Sequence, residues 1–179
     1  VAIVVLISLW AIRLGSFLFM RVHKDGEDKR FRTIKPSATQ FFMTWTLQGL
    51  WVSLCSMCAL TAISSDSGVV INGFFFIGLG LFLIGFGTEI IADNQKSKFR
   101  SVPENSDKFI TSGLWARSRH PNYFGEIMLW TGIAVMSFSS LDGWQYLTLL
   151  SPIFTYILLV YVSGVRMLEA RSAKKWGSN

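Results

Sequence analysis

Five long apolar stretches limit the folds open to this 179-residue chain. They cover residues 1–20, 40–63, 69–92, 122–140 and 145–168. A transmembrane α-helix needs about 20 mostly apolar residues to cross the hydrocarbon core of a bilayer, and each stretch is close to that length or longer. The chain contains 51% hydrophobic and 15% aromatic residues, more than an ordinary soluble domain carries. The pattern predicts an all-α polytopic membrane bundle with about five transmembrane helices.

The basic residues indicate how these helices are oriented. All 17 Lys and Arg residues fall in or beside residues 13–35, 96–119 and 166–175, and the connections 64–68 and 139–143 contain none. Because Lys and Arg are enriched in cytoplasmic loops, we place the three basic segments and the C-terminus in the cytoplasm. The membrane is either the endoplasmic reticulum or a bacterial inner membrane. Topology and attraction to anionic lipid explain the net charge of +6, so we expect no nucleic-acid partner.

One membrane domain is expected to occupy residues 1–179, because no Pro- or Gly-rich linker and no internal repeat divides the chain. The sequence begins at Val1, inside an apolar run and without a methionine or a signal-peptide pattern. We therefore interpret it as an N-terminally truncated member of a larger bundle. The sequence gives no indication of an oligomeric state.

Two cysteines and five glycines lie inside apolar stretches. Cys55 and Cys58 form a C-x-x-C pattern, but a thiolate is poorly solvated there, and we interpret both as small packing residues. With two histidines in the chain, we expect no zinc site. No strand precedes the glycines, so close helix packing is favoured over a dinucleotide-binding Rossmann fold. These glycines are Gly73, Gly78, Gly80, Gly85 and Gly87.

Charged side chains enter the end of the third apolar stretch. The stretch contains Glu89 and continues, at spacings of four, three and four residues, with Asp93, Lys96 and Arg100. These spacings place all four side chains on one face of a helix. A carboxylate at this depth is costly unless it is paired or faces a wet cavity. Two interpretations stay open, an ion-pair ladder within the helix and a ligand-binding face.

The segment LWARSRHPNYFGEIMLW, residues 114–130, places basic residues just before the fourth apolar stretch. Proline suits the first turn of a helix, so we predict that a helix starts near His120 and Pro121. The amides at the start of a helix favour anions. Three basic residues precede or occupy this start: Arg117, Arg119 and His120.

The same helix is predicted to have a polar side. Spacings of i, i+3, i+4 and i+7 place on it Arg119, Asn122, Tyr123 and Glu126. Glu126 lies one turn inside the apolar stretch, where it needs Asn or Arg neighbours to remain ionised. The alternative is an interfacial collar of side chains that extend towards the headgroups. Because two buried acids on different helices accompany two basic clusters, we predict a site for a polyanionic cofactor.

Several motifs, taken together, resemble the steroid 5-alpha-reductase-like integral membrane family, in the branch related to 3-oxo-5-alpha-steroid 4-dehydrogenases and sterol reductases. The motifs occur in the family's order and cover nearly the whole chain. They are GEDKRF at 26–31, ADNQKSKFR at 92–100, GLWARSRHPNYFGEIMLWTG at 113–132 and SGVRMLE at 163–169.

The resemblance implies a membrane reductase that binds NADPH from the cytoplasmic side. It implies hydride transfer to an activated carbon–carbon double bond of a lipid or sterol-like substrate, and a cofactor-binding part at about 89–171. Arginines would bind the phosphates of the cofactor, while Asp, Asn and Glu would form hydrogen bonds with its ribose hydroxyls and carboxamide. The candidate cofactor-binding residues are Glu89, Asp93, Lys96, Arg100, Arg117, Arg119, His120, Asn122, Tyr123 and Glu126.

The substrate side departs from the family pattern. In the steroid reductases a Glu of an early helix and a Tyr of the helix that corresponds to residues 1–20 hold the substrate carbonyl. The early helix lies outside this chain, and Trp10, one turn before Arg13, stands in the place of the tyrosine. An indole donates one hydrogen bond but is no useful proton source. We therefore assign no catalytic residue, and cofactor binding is better supported than 5-alpha-reductase activity.

Two other functions remain open. Isoprenylcysteine-type membrane methyltransferases share an Arg-His-Pro-x-Tyr run and bind S-adenosylmethionine at a similar place. Gly125 and Glu126, together with the ADNQKSKFR segment, favour the reductase. A non-catalytic lipid-binding membrane protein is the second alternative, because Trp10 replaces the family tyrosine.

Overall fold

The computed structural model describes residues 1–28, 31–66, 68–105, 107–162 and 164–176. Lys29, Arg30 and Ser163, which belong to the motifs at 26–31 and 163–169, lie outside the described residues. Regular structure within the described ranges is helical throughout, which confirms the all-α prediction. The α-helices are α1 (Ala2–Asp25), α2 (Phe31–Ile34), α3 (Ala38–Ser64), α4 (Gly73–Arg100), α5 (Pro121–Ser137), α6 (Leu150–Ile157) and α7 (Val165–Trp176).

Helical segments long and apolar enough to cross a membrane confirm an integral membrane protein. Among the described residues these are Ala2–Lys24, Ala38–Ser64, Gly73–Arg100 and Gly143–Val162. The predicted span 122–140 corresponds to α5, which has 17 residues. It reaches the usual length of about 20 residues only together with the 3-10 turn Phe138–Ser140. This helix is therefore the shortest of the five predicted spans.

The last span differs from its prediction at 145–168. It consists of a 3-10 helix at Gly143–Leu149, then α6, then a π-helical turn at Leu158–Val162. Pro152 lies in the first turn of α6, where its missing amide donor is tolerated. The helical structure is interrupted at Gly164, just before α7 begins. A Cβ at Gly164 would collide with the carbonyl oxygen of Leu159. The glycine therefore permits a turn that ends the span at Val162.

Helices α4 and α5 pack along each other more extensively than any other pair of described elements. A Cβ added at Gly78 would lie 2.5 Å from the carbonyl oxygen of Gly132, and one at Gly85 would lie 2.6 Å from that of Gly125. Glycine at these four positions lets the two backbones touch. Close packing is confirmed for Gly78 and Gly85. It is wrong for the other three predicted glycines, Gly73, Gly80 and Gly87, which face open space.

The two connections without Lys or Arg meet at one end of the bundle. The amide of Val70 donates to Ser140 Oγ at 3.0 Å, and Asn72 Nδ2 donates to Ser139 Oγ at 2.8 Å. The basic segments follow the opposite ends of α1 and α4. Charge is therefore segregated along the bundle, as the positive-inside argument requires.

The cysteines pack as predicted. Cys58 is fully buried and contacts a small apolar cluster with Ala62, Ala134 and Leu141. Cys55 packs against the main core, and both thiols are free.

Candidate cofactor-binding site

An arginine of α1 bridges two acids of α4 inside the bundle. Arg13 Nη1 lies 2.6 Å from Glu89 Oε1, and Arg13 Nη2 lies 2.6 Å from Asp93 Oδ2. Nη2 also donates to the backbone carbonyl of Glu89 at 3.4 Å. Both acids are buried, and the arginine side chain is 16% exposed. These pairs cross between helices, so an ion-pair ladder within α4 does not account for them.

Sequence reasoning used Arg13 only as a landmark and missed its role. A signal was available, because an arginine inside an apolar span almost always pairs with an acid of another span. Glu89 was the buried acid that needed such a partner. What the sequence lacked was the information that α1 and α4 lie side by side.

The polar side of α5 meets this buried group. At the helix crossing, a Cβ on Gly125 would lie 2.8 Å from the amide nitrogen of Glu89. The next residue, Glu126, interacts electrostatically with Arg13, Asp93 and Glu89. Glu126 of α5 therefore belongs to the same electrostatic environment as the buried acids of α4.

The segment before α5 is fixed to the last turns of α4. Trp115 Nε1 donates to the carbonyl oxygen of Ala92 at 3.0 Å, and its ring lies 4.9 Å from Lys96 Nζ, in a cation–π contact. The backbone amide of Leu114 donates to Gln95 Oε1 at 3.0 Å. These contacts position the arginines that follow. The sequence prediction missed Trp115 and Gln95, whose partners are backbone groups of distant residues.

Helix α5 begins where it was predicted to begin, with Pro121 in its first turn and His120 as the N-cap residue. The rings of His120 and Tyr123 stack with centroids 5.7 Å apart. Glu169 of α7 lies in front of this helix start. Its Oε1 is 3.6 Å from Arg119 Nη1 and 3.8 Å from His120 Nε2. An acid that the sequence prediction did not select therefore occupies the predicted anion position.

Electrostatic interactions link the start of α5 with the buried acids of α4. Burial lowers the pKa of His120, and the Glu169 carboxylate opposes this shift while the Lys96 ammonium reinforces it. Lys96 also interacts electrostatically with Asp93. Lys96 therefore interacts electrostatically both with a residue at the start of α5 and with a buried acid of α4.

Most of the ten predicted cofactor-binding residues lie either around Arg13 or at the start of α5. Glu89 and Asp93 are buried and pair with Arg13, and the half-buried Glu126 interacts with it electrostatically. At the start of α5, next to Glu169, lie Arg119, His120 and Tyr123. Lys96 interacts with both groups.

The remaining three residues lie at the edge of these groups. Asn122 is half-buried in the first turn of α5, and Arg117 is exposed just before it. Arg100 faces the connection after α4, where its Nη1 donates to the carbonyl oxygen of Asn105 at 3.2 Å. The structure therefore places Arg117 and Asn122 beside the helix start and Arg100 one turn beyond Lys96.

Fold and site together define a polytopic helical membrane protein with a polar site where α4 and α5 cross. The family described as "Protein of unknown function (DUF1295)" matches residues 1–179, and the chain belongs to this family. The resemblance to steroid 5-alpha-reductase-like proteins is confirmed by the relatives.

Three relatives illustrate the range of similarity. The 3-oxo-5-alpha-steroid 4-dehydrogenase 1 of Bos taurus is 33% identical over 48% of this chain and 31% of its own length. A Probable 7-dehydrocholesterol reductase of Acanthamoeba polyphaga mimivirus is 29% identical over 59% of this chain and 26% of its own length. The Probable O-methyltransferase ustE of Ustilaginoidea virens is 31% identical over 55% of this chain and 40% of its own length. The chain thus spans well under half the length of these relatives. No solved structure matches the chain.

Proposed function

We propose that the protein is an NADPH-dependent reductase of an activated carbon–carbon double bond in a lipid or steroid-like substrate. The observation that carries the proposal is that a cationic start of α5 and a buried pair of carboxylates on α4 both interact electrostatically with Lys96. Relatives named as a steroid dehydrogenase and a sterol reductase support the same reaction class.

The helix start has the properties that phosphate groups require. Free amides and the helix dipole favour an anion at the start of α5. Arg119 adds a permanent positive charge there, and the exposed Arg117 lies two residues before it. The Glu169 carboxylate stands at this position in the structure, as an internal anion in front of the cationic side chains. Residues and charge therefore fit a phosphate.

The buried acids around Arg13 provide an oxygen that can accept a hydrogen bond from a hydroxyl or amide group. Among the described residues, Glu89 Oε2 is buried without a hydrogen-bond partner. An unsatisfied buried polar group costs about 1–3 kcal/mol, so a ligand donor at this oxygen would be stabilising. Asn122, Tyr123 and Glu126 lie in the first two turns of α5, and Glu126 interacts electrostatically with Glu89. The ribose hydroxyls and the carboxamide of a dinucleotide supply such donors.

NADPH, when bound, supplies hydride. The residues of this chain would hold its polar groups, keep water from the buried acids and orient the acceptor. Within the described residues, Trp10 Nε1 is buried without a hydrogen-bond partner. It is available to donate to a substrate carbonyl oxygen as negative charge develops there. This indole would polarise the acceptor without releasing a proton.

The surroundings of Trp10 suit a lipid acceptor. The ring of Trp10 packs edge-on against Trp130, with centroids 5.1 Å apart. The other side chains around this position are apolar as well: Ile7, Phe82, Leu129 and Ile133. A hydrophobic substrate that enters from the bilayer would meet an apolar wall and one hydrogen-bond donor.

A membrane methyltransferase that uses S-adenosylmethionine is the second candidate, because one relative is named a probable O-methyltransferase. S-Adenosylmethionine carries no phosphate, and its single carboxylate would give Arg117 and Arg119 less negative charge to bind than the phosphates of a dinucleotide. The buried acids would suit its positive charges. A non-catalytic lipid-binding protein is the third candidate, and it would bind neither cofactor.

The three candidates differ in ligand binding. The purified protein in detergent would be titrated separately with NADPH, NADH and S-adenosylmethionine while its thermal unfolding is followed. A ligand at 100 times its dissociation constant stabilises the folded state by about 2.7 kcal/mol. The proposal predicts stabilisation by NADPH, less by NADH and none by S-adenosylmethionine. Stabilisation by S-adenosylmethionine alone would overturn the proposal, and no response to any ligand would favour the lipid-binding protein.

A further inference from the structure

Helix α7 places Glu169 next to the start of α5. The chain enters α7 at Gly164, which packs so closely on Tyr123 that a Cβ would lie 2.9 Å from Cε2 of the ring. One and a half turns further, Glu169 lies in front of Arg119 and His120. Arg119 and His120 belong to the predicted anion site, and Tyr123 is another of the predicted cofactor-binding residues. The Glu169 carboxylate of α7 thus lies where an anion at the start of α5 would bind.

The contacts of Glu169 are too long and too exposed for a strong ion pair. Its oxygen lies 3.6 Å from Arg119 Nη1 and 3.8 Å from His120 Nε2, whereas charge-assisted hydrogen bonds measure about 2.7–2.9 Å. The side chains of Arg119 and Glu169 are 85% and 49% exposed. Among the described residues, His120 Nε2 is buried without a hydrogen-bond partner. The Glu169 carboxylate therefore lies at the anion position without forming a short hydrogen bond to Arg119 or His120.

We propose that α7 is a latch, in which the Glu169 carboxylate occupies the anion position at the start of α5 and leaves when a phosphate group binds there. This inference rests on the proposed function for the identity of the ligand, a dinucleotide phosphate. A phosphate carries more charge than a carboxylate and has three strong acceptor oxygens, so it bonds better to Arg119. Because a ligand must first displace Glu169, the closed latch lowers the measured affinity for anions.

The attachment of α7 suits such a movement. It follows the π-helical turn Leu158–Val162 and the break at Gly164, and its main described packing is with that turn. Segments with few buried contacts open at low free-energy cost. Release of Glu169 would leave the membrane-spanning helices undisturbed.

Inorganic pyrophosphate tests the latch directly. Its dissociation constant would be measured for the purified chain in detergent at low ionic strength, for the natural protein, Glu169→Gln, Glu169→Asp and Glu104→Gln. We expect Glu169→Gln to bind pyrophosphate about two- to fivefold more tightly, as loss of an exposed ion pair allows. Glu169→Asp keeps the charge but withdraws it by one methylene, so we expect an intermediate gain. Glu104→Gln removes an exposed acid of the connection after α4 and should bind like the natural protein.

Other outcomes of this titration overturn the latch. Equal or weaker binding by Glu169→Gln shows that the carboxylate does not compete with the anion. An equal gain in Glu104→Gln shows a general charge effect. Absence of pyrophosphate binding in both the natural protein and Glu169→Gln also contradicts the inference.

Hydrogen exchange of the α7 amides gives a second readout. Pyrophosphate should accelerate exchange in residues 165–176 of the natural protein, because Glu169 is released. In Glu169→Gln the exchange should already be faster and should change little. Slower exchange on binding would mean that α7 closes over the anion, and the latch would be wrong.

Failure of the latch and failure of the proposed function have different signatures. NADPH binding that is equal in the natural protein and Glu169→Gln retains the function and overturns the latch. The expected pyrophosphate pattern without any NADPH binding retains the latch and overturns the function.

Discussion

Arg13 Nη1 and Glu89 Oε1 lie 2.6 Å apart and join two membrane helices whose residues are 76 positions apart in the sequence. The same guanidinium reaches Asp93 at 2.6 Å. Within α1, Ile3 is buried among the described residues, whereas most other side chains of this helix are at least partly exposed. The ion pairs therefore supply a specific lateral attachment of α1 to α4.

Substitution of Arg13 tests this attachment. Arg13→Gln leaves two buried carboxylates without their cation, and breaking a buried pair costs about 3–5 kcal/mol. We expect a large fall in the thermal unfolding midpoint in detergent. Arg21→Gln is the matched control, since Arg21 is 44% exposed and lies 3.6 Å from Asp28. It should cost at most about 1 kcal/mol, and an equal effect of the two variants would contradict the attachment.

Neutralising the whole group separates stability from binding. The triple variant Arg13→Leu, Glu89→Gln and Asp93→Asn removes the charges together, and such replacements of buried ion groups are often neutral or stabilising. We expect its unfolding midpoint to recover most of the loss seen in Arg13→Gln. NADPH binding should stay weak, because the acceptor oxygens at Glu89 and Asp93 have changed. Recovery of both properties would show that the group is only structural.

The crossing of α4 and α5 depends on glycine. In Gly125→Ala, the added Cβ would lie 2.6 Å from the carbonyl oxygen of Gly85, so the two backbones must separate. Overpacking of this kind costs about 1–3 kcal/mol. Gly87→Ala is the control, because nothing lies within 4 Å of a Cβ at that position of α4. Thermal unfolding should show a loss for Gly125→Ala and no loss for Gly87→Ala, and the reverse order would refute the crossing.

Acid should destabilise the protein partly through His120. Burial holds the pKa of His120 below its ordinary value of 6.5, so on acidification the unfolded chain takes up this proton before the folded protein does. Folding stability is therefore lost as the pH falls below 6.5. Between about pH 7.5 and about pH 5.5, the unfolding midpoint should fall more in the natural protein than in His120→Gln. An equal fall in the natural protein and His120→Gln would contradict this role of His120.

Local signals in the sequence predicted the parts of the fold that local chemistry determines. Pro121 marked the start of α5, and the apolar lengths marked the spans. Gly78 and Gly85 marked a close helix contact, but the sequence could not show that Gly80 and Gly87 face away from it. The direction of a glycine depends on which face of α4 meets α5, and that is a property of the whole bundle.

The sequence predicted individual residues of the candidate site, but it did not predict which residues contact each other there. Spacing along α4 placed Glu89 and Asp93 on one face, yet it could not reveal that Arg13 of another helix reaches both. Glu169 was missed for a related reason. Its role follows from the turn at Gly164, after which α7 brings Glu169 close to Arg119 and His120. Tertiary contacts between distant segments decide these features.

The central claim is a dinucleotide site on the polar side of α5, and the dissociation constant of NADPH measures it most directly. It would be determined for the natural protein, Asn122→Ala, Glu126→Ala and the control Asn94→Ala, whose asparagine is exposed on α4. Loss of one hydrogen bond of about 1 kcal/mol predicts roughly fivefold weaker binding by Asn122→Ala. Loss of a bond to a charged group, about 1.5–3 kcal/mol, predicts a larger effect for Glu126→Ala.

We expect saturable NADPH binding by the natural protein and Asn94→Ala, with weaker binding by the other two variants and unchanged helix content in all four. Normal NADPH binding by both Asn122→Ala and Glu126→Ala would contradict the central claim.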